Sequence, residues 1–166
     1  MADVDITDKI GYTLLKKGII NYETLEKSLQ VKEGEDKKNR RNLGQILVTD
    51  FNVDHDLVFR EVANLYAFRE LYLTDETIDA QRTEFIKRYV GALPEQYHEM
   101  LKTARMLPLK FDEKQGDKLI IIAADPTDRN IPAIARNFGV KKYEVCYCRA
   151  KDLQGLMETV DRKSVV

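Results

Sequence analysis

Tryptophan is missing from this chain of 166 residues, and cysteine occurs only twice, at Cys146 and Cys148. Two cysteines two positions apart on a strand-like run cannot supply four metal ligands. With only His55 and His98 elsewhere, the sequence carries no zinc pattern and no disulfide framework. Charge of one sign is also lacking: 27 basic residues face 28 acidic ones, for a net charge of −1. Such a balance gives no global field to steer the chain onto a nucleic-acid polymer or an anionic bilayer, so any anion site must be local. No apolar run approaches the roughly 20 residues of a membrane-spanning helix. The N-terminal stretch MADVDITDKI is acidic where a secretory signal requires cations. The chain reads as soluble and cytoplasmic, with no direct membrane insertion.

Catalytic motifs are missing too. There is no glycine-rich loop ending in Gly-Lys-Ser/Thr, no Gly-x-Ser-x-Gly elbow, no His-Glu-x-x-His pair and no Cys-x-x-Cys. Turn or helix-cap chemistry accounts for the carboxylates of Asp125, Asp128 and Glu95. The expectation is therefore a non-catalytic chain with no metal and no cofactor.

An internal repeat is what the sequence does contain. A shift of 33 residues lays Ile10-Gly11 on Leu43-Gly44, Leu14-Leu15 on Leu47-Val48, Ile20 on Val53, Asn21 on Asp54, Leu25 on Val58 and Leu29 on Val62. Each copy predicts a short helix, a break, a capping residue and a second helix. Lys16 and Lys17 suit the negative end of the first helix, and Gly18 can take the left-handed position beyond it. Asn21 and Asp54 are the expected N-caps of the second helices. The period lies near that of ankyrin and tetratricopeptide arrays, but two copies are too few to stack as a solenoid. A charged stretch from Lys32 to Arg41 without an apolar face reads as a solvated linker whose basic end is a candidate anion patch.

Beyond Tyr66 the pattern changes. Helices are expected over 82–89 and 95–105, with Pro94 in a first turn. Strands are expected over 106–111 and 118–124, joined as a hairpin by the polar turn 112–117. A helix over 129–138, a strand over 143–148 and a helix over 151–160 follow. The fold class expected is α+β: residues 1–68 form a cluster of about four short helices, the tandem helical pair. Residues 69–166 form a small three-stranded sheet with packed helices.

The run Ile10-Gly11-x-x-Leu14-Leu15-x-x-Gly18-x-Ile20, continued by Leu25 and Leu29 and begun again at Leu43-Gly44, resembles the tandem motif of the MshEN-type domain. Downstream, Leu107-Pro108-Leu109, Leu119-Ile120-Ile121 and Ala124-Asp125-Pro126-Thr127-Asp128 are similar to the N-terminal domain of the type II secretion ATPase E. The resemblance spans about residues 8 to 160. It implies a non-catalytic docking domain that precedes the motor of type II secretion or type IV pilus systems, any ATPase activity belonging to a downstream domain, or a free-standing adaptor of that family. It also implies a protein partner in the inner-membrane platform, to which the cytoplasmic domain is held peripherally.

In some pilus ATPases of this resemblance the paired motifs bind cyclic di-GMP. Leucines there clasp the purine faces, glycines admit the backbone, and an arginine and a glutamine read the guanine edges. Carried over, the candidate cyclic dinucleotide site comprises Lys9, Ile10, Gly11, Leu14, Gly18, Leu25, Leu29, Lys32, Arg41, Leu43, Gly44, Leu47, Val58 and Val62. The polar readers depart from the pattern. Lys9 and Asn42 stand for arginine, Lys32 and Leu65 for glutamine, and Phe51 for glycine, with Asn52 able to take the glycine's turn one residue later. A lysine lacks the planar fork for bidentate guanine recognition, and Arg40 or Arg41 is the alternative guanidinium. As plain core residues, the apolar set needs no ligand, and close packing explains Gly11 and Gly44 equally.

Overall fold

In the computed structural model, residues 8–163 are described; the acidic stretch before Asp8 and the last three residues lie outside them. The chain divides into two compact units, one ending at Tyr66 and the other beginning at Ala67.

The first unit is a pair of helical pairs. Helices α1 (Lys9–Lys16) and α2 (Tyr22–Gly34) form one copy of the repeat; α3 (Leu43–Phe51) and α4 (His55–Leu65) form the other. Their limits follow from local chemistry. Side-chain oxygens of Asp8, Asn21 and Asp54 accept the backbone N–H groups of Gly11, Thr24 and Leu57, each satisfying an orphan donor at a helix start. Asn42 begins α3 without such a side-chain bond. Gly18 ends the first helix at φ +75. In the second copy the left-handed residue is Asn52, at φ 55 and ψ 30, while Phe51 remains helical. In the 33-residue register the first helix of the second copy starts one residue later and is one residue longer, and its break is shorter by two residues, so the copies come back into step at Asn21 and Asp54. Ile10, Leu14, Ile20, Leu25, Leu43, Ile46, Leu47, Val58, Phe59, Val62 and Ala63 are buried and form the core of this unit.

The expected linker is shorter than its charge pattern suggests. Lys32, Glu33 and Gly34 complete α2, because Lys32 is tied to Asp8 and gains from the last helical turn.

The second unit opens with the extended residues Arg69–Leu71 and a 3-10 turn (Leu73–Asp75). Then follow α5 (Ala80–Gly91), α6 (Gln96–Ala104), β1 (Met106–Phe111), β2 (Lys118–Ala123), α7 (Ile131–Arg136), β3 (Lys142–Tyr147) and α8 (Ala150–Lys163). Pro94 precedes the cap residue Glu95 and so stands just outside α6. The sheet order is β1-β2-β3. The hairpin β1–β2 is antiparallel, from Met106 opposite Ala123 to Phe111 opposite Leu119, with a bulge between Pro108 and Lys110. Strand β3 lies parallel to β2, Lys118 opposite Lys142 through Ala123 opposite Tyr147. Leu119 through Ala123 are fully buried in succession, so the central strand is covered on both faces and reads as an unbroken apolar run. Helices α5, α6 and α8 pack on the sheet around Ile86, Leu101, Leu153 and Leu156. Each such side chain taken from water stabilises by about 1.5–3 kcal/mol. Cys146 and Cys148 are buried and unbridged within this core.

The fold is α+β, four helices followed by a small mixed sheet with helices packed on it. No helix among the described residues is long and apolar enough to cross a membrane.

Candidate functional site

The two repeat glycines sit where helices approach closely. A Cβ on Gly11 would lie 2.7 Å from Leu25 Cδ1 and 2.8 Å from Leu43 Cδ2. A Cβ on Gly44 would lie 3.2 Å from Val58 Cγ1 and 3.5 Å from Phe59 Cζ. Gly11 therefore lets α1 settle against α2 and α3 together, and Gly44 lets α3 settle against α4. The apolar candidates close over these contacts: Leu14, Leu47 and Val58 are fully buried, Leu25 and Leu43 nearly so, and Ile10 and Val62 are buried. Leu29 is only half-buried, because Ser28 turns inward instead and donates its hydroxyl to the Leu25 carbonyl at 2.9 Å.

The polar candidates are distributed differently. Lys9 is exposed at the first residue of α1, and Gly18 is exposed at its end. Lys32 Nζ donates to Asp8 Oδ2 at 3.1 Å, linking the end of α2 to the cap of α1. Arg41 holds the loop before α3. Its Nε donates to Glu35 Oε2 at 2.9 Å, its Nη1 to Asp50 Oδ1 at 3.0 Å and its Nη2 to Asp50 Oδ2 at 2.9 Å. Its backbone N–H also donates to Glu35 Oε1 at 2.9 Å. These bonds hold the Glu35 and Asp50 carboxyls below their usual range, the Arg41 side chain being the first cause for each. Asp50 and Glu35 in turn hold the Arg41 guanidinium more firmly charged. Sequence reasoning singled out Arg41 but not its two acidic neighbours. The signal for Asp50 is slight, since a carboxylate nine residues away meets Arg41 only once the loop has closed. Arg40 Nη2 donates to the Glu33 and Glu35 carbonyls, at 3.2 and 3.3 Å.

The structure thus brings Ile10, Gly11, Leu14, Leu25, Leu43, Gly44, Leu47, Val58 and Val62 together as one interlocked layer. Lys32 and Arg41 are engaged with carboxylates at its margin. In the second unit, Asp125 accepts the backbone N–H of Thr127 at 2.9 Å, and Asp128 accepts that of Asn130 at 2.9 Å. Both are turn-stabilising bonds. Glu95 makes no side-chain cap bond. Burial pushes the Cys146 thiol up to about 11, with Glu144 adding to the effect. Among the described residues no group of His, Cys, Asp and Glu could hold a metal ion.

No protein-family model matches the sequence, and no curated protein matches it. Solved structures do. The structure of MshE with cdg is similar over 92% of this chain and 96% of that one, with 21% identity and a TM-score of 0.57. The structure of the N-terminal domain of XpsE is similar over 95% of this chain and 97% of that one, with 13% identity and a TM-score of 0.59. Helical repeat and mixed sheet together therefore make up the fold that MshE and the N-terminal domain of XpsE share, as the sequence resemblance anticipated.

Proposed function

We propose that this chain is a non-catalytic docking and regulatory domain of a type II secretion or type IV pilus ATPase. It works in the cytoplasm by gripping a protein component of the inner-membrane platform. One observation carries the choice of docking over nucleotide sensing. Two of the three cations that would read guanine edges are already bound, Lys32 to Asp8 and Arg41 to Glu35 and Asp50, which leaves only the exposed Lys9. A guanine would have to displace charge-assisted hydrogen bonds, which are about twice as strong as neutral ones. Calorimetry against a panel of cyclic dinucleotides, beside titration with the cytoplasmic part of the platform protein, tests this. Binding of the protein without heat from cyclic di-GMP is expected; micromolar cyclic di-GMP binding overturns it.

The likeness to MshE with cdg, over 92% of this chain, favours a second reading, a cyclic di-GMP sensor. In that reading Gly11 and Gly44 admit the ligand while Lys9 and Arg41 read it. Arg41 must then leave its carboxylates, so Glu35→Gln with Asp50→Asn should tighten nucleotide binding, and Lys9→Ala with Arg41→Ala should abolish it. Unchanged affinity in both double variants removes this reading.

A further inference from the structure

The sheet of the second unit has two edges, and they are treated unequally. The β1 edge is defended. It carries Pro108 and a bulge between Pro108 and Lys110, and Arg82 Nη1 donates to the Leu109 carbonyl at 2.8 Å. Each of these blocks a further strand. The β3 edge carries no proline and no bulge. At its far end it already accepts an added strand: Tyr147 N–H donates to the Arg69 carbonyl at 2.9 Å, and Leu71 N–H donates to the Tyr147 carbonyl at 2.9 Å. Glu70 and Tyr147 form the parallel bridge between them.

Backbone groups alternate sides along a strand. Tyr147 turns both its groups outward, and the Cys148 N–H turns inward to the Ala123 carbonyl at 3.0 Å. By that alternation Glu144 and Cys146 bond β2, while Tyr143 and Val145 present their N–H and C=O groups outward. Among the described residues no backbone bond covers these four groups. Tyr143 is 37% exposed.

We propose that the β3 edge at Tyr143 and Val145 is a strand-addition site for an extended acidic segment of a partner protein. Charge chooses the occupant. Lys141 and Lys142 are exposed beside this edge, Lys142 standing 3.9 Å from the equally exposed Asp117, whereas Arg69 and Lys118 are paired with Glu144. A second copy of the chain is disfavoured, because pairing two identical edges would bring like charges, Lys141 and Lys142 of each copy, into one interface. The assignment names a surface for the docking reading and rests on it.

The test uses the full chain and a seven-residue blocked peptide of alternating glutamate and valine. Amide hydrogen exchange is followed residue by residue. In the free protein, Tyr143 and Val145 should exchange fast while Glu144 and Cys146 are protected. With peptide, Tyr143 and Val145 should slow by roughly tenfold or more, as main-chain bonds form. Val145→Pro removes an outward donor without touching the β2 ladder, and should abolish the effect while leaving the thermal melt in place. Lys142→Glu should weaken it, and a lysine–valine peptide should not produce it. Protection of Tyr143 and Val145 in the free chain overturns the edge assignment and leaves the docking reading standing. So does no slowing at saturating peptide. Equal slowing by the lysine peptide overturns the choice of an acidic partner. Cyclic di-GMP binding found by calorimetry would overturn docking without altering any of these exchange rates.

Discussion

Adding one methyl group at Gly11 measures how closely the two repeats are pressed together. The new carbon would stand 2.7 Å from Leu25 Cδ1 and 2.8 Å from Leu43 Cδ2, closer than folded proteins tolerate. Both neighbours are leucine tips and can turn, but both are about 1% exposed and have no free space to turn into. Overpacking a core in this way costs about 1–3 kcal/mol. Alanine's better helix propensity offsets about 0.8–1.0 kcal/mol of that. Gly11→Ala should therefore lose about 1 kcal/mol, lowering the urea midpoint of the first unit by roughly 0.5–1 M. Gly44→Ala makes a good control, because its tightest contact, to Val58 at 3.2 Å, needs a shift of only a few tenths of an ångström. It should fall within about 0.5 kcal/mol of the parent, propensity and crowding nearly cancelling. The lack of tryptophan leaves circular dichroism, or the methyl resonances of Leu25 and Leu43, as the probe. If Gly11→Ala were as stable as the parent or more so, the glycine would not be there for packing. Ligand approach would then become its better explanation.

Other expectations follow from single side chains. Asn52→Ala should cost about 1 kcal/mol, because its left-handed backbone crowds a Cβ that asparagine alone offsets, and Asn52→Gly should be neutral or better; thermal melts of the pair check the order. Cys146 should resist alkylation at neutral pH until the protein unfolds, since its buried thiol stays protonated up to about 11; rapid labelling of the native chain refutes this. Glu35 and Asp50 are held below the usual carboxylate range, so the contribution of their tie to Arg41 is fully present above about pH 5 and is lost as the pH falls through their lowered values. Carbon-13 titration of both carboxyls checks it, and ordinary values would contradict it.

Much of the first unit was legible because its signals are local. Asn21 and Asp54 cap as their residue types dictate, and Gly18 takes the left-handed turn for want of a Cβ. The shift of that turn from Phe51 to Asn52 in the second copy could be anticipated from asparagine's tolerance of positive φ. The hairpin of β1 and β2 was equally readable from its glycine-containing turn. Other features depend on distance rather than neighbourhood. The charge pattern hid the last turn of α2, because Lys32 gains its partner 24 residues earlier, at Asp8. The same holds for Arg41, whose carboxylates converge only in the folded loop. The parallel pairing of β3 with β2 and the strand-like hold of Arg69–Leu71 on Tyr147 leave no mark in their own sequences, since main-chain bonding is indifferent to residue type.

That hold on Tyr147 bears on where the chain can be divided. Tyr147 is wholly shielded from solvent, and its two main-chain groups are answered by Arg69 and Leu71, a few residues after the first unit ends. A cut after Leu71 would leave the carboxyl-terminal piece with a naked donor and acceptor at the end of its last strand. A cut between Tyr66 and Arg69 would carry the whole clasp along with it.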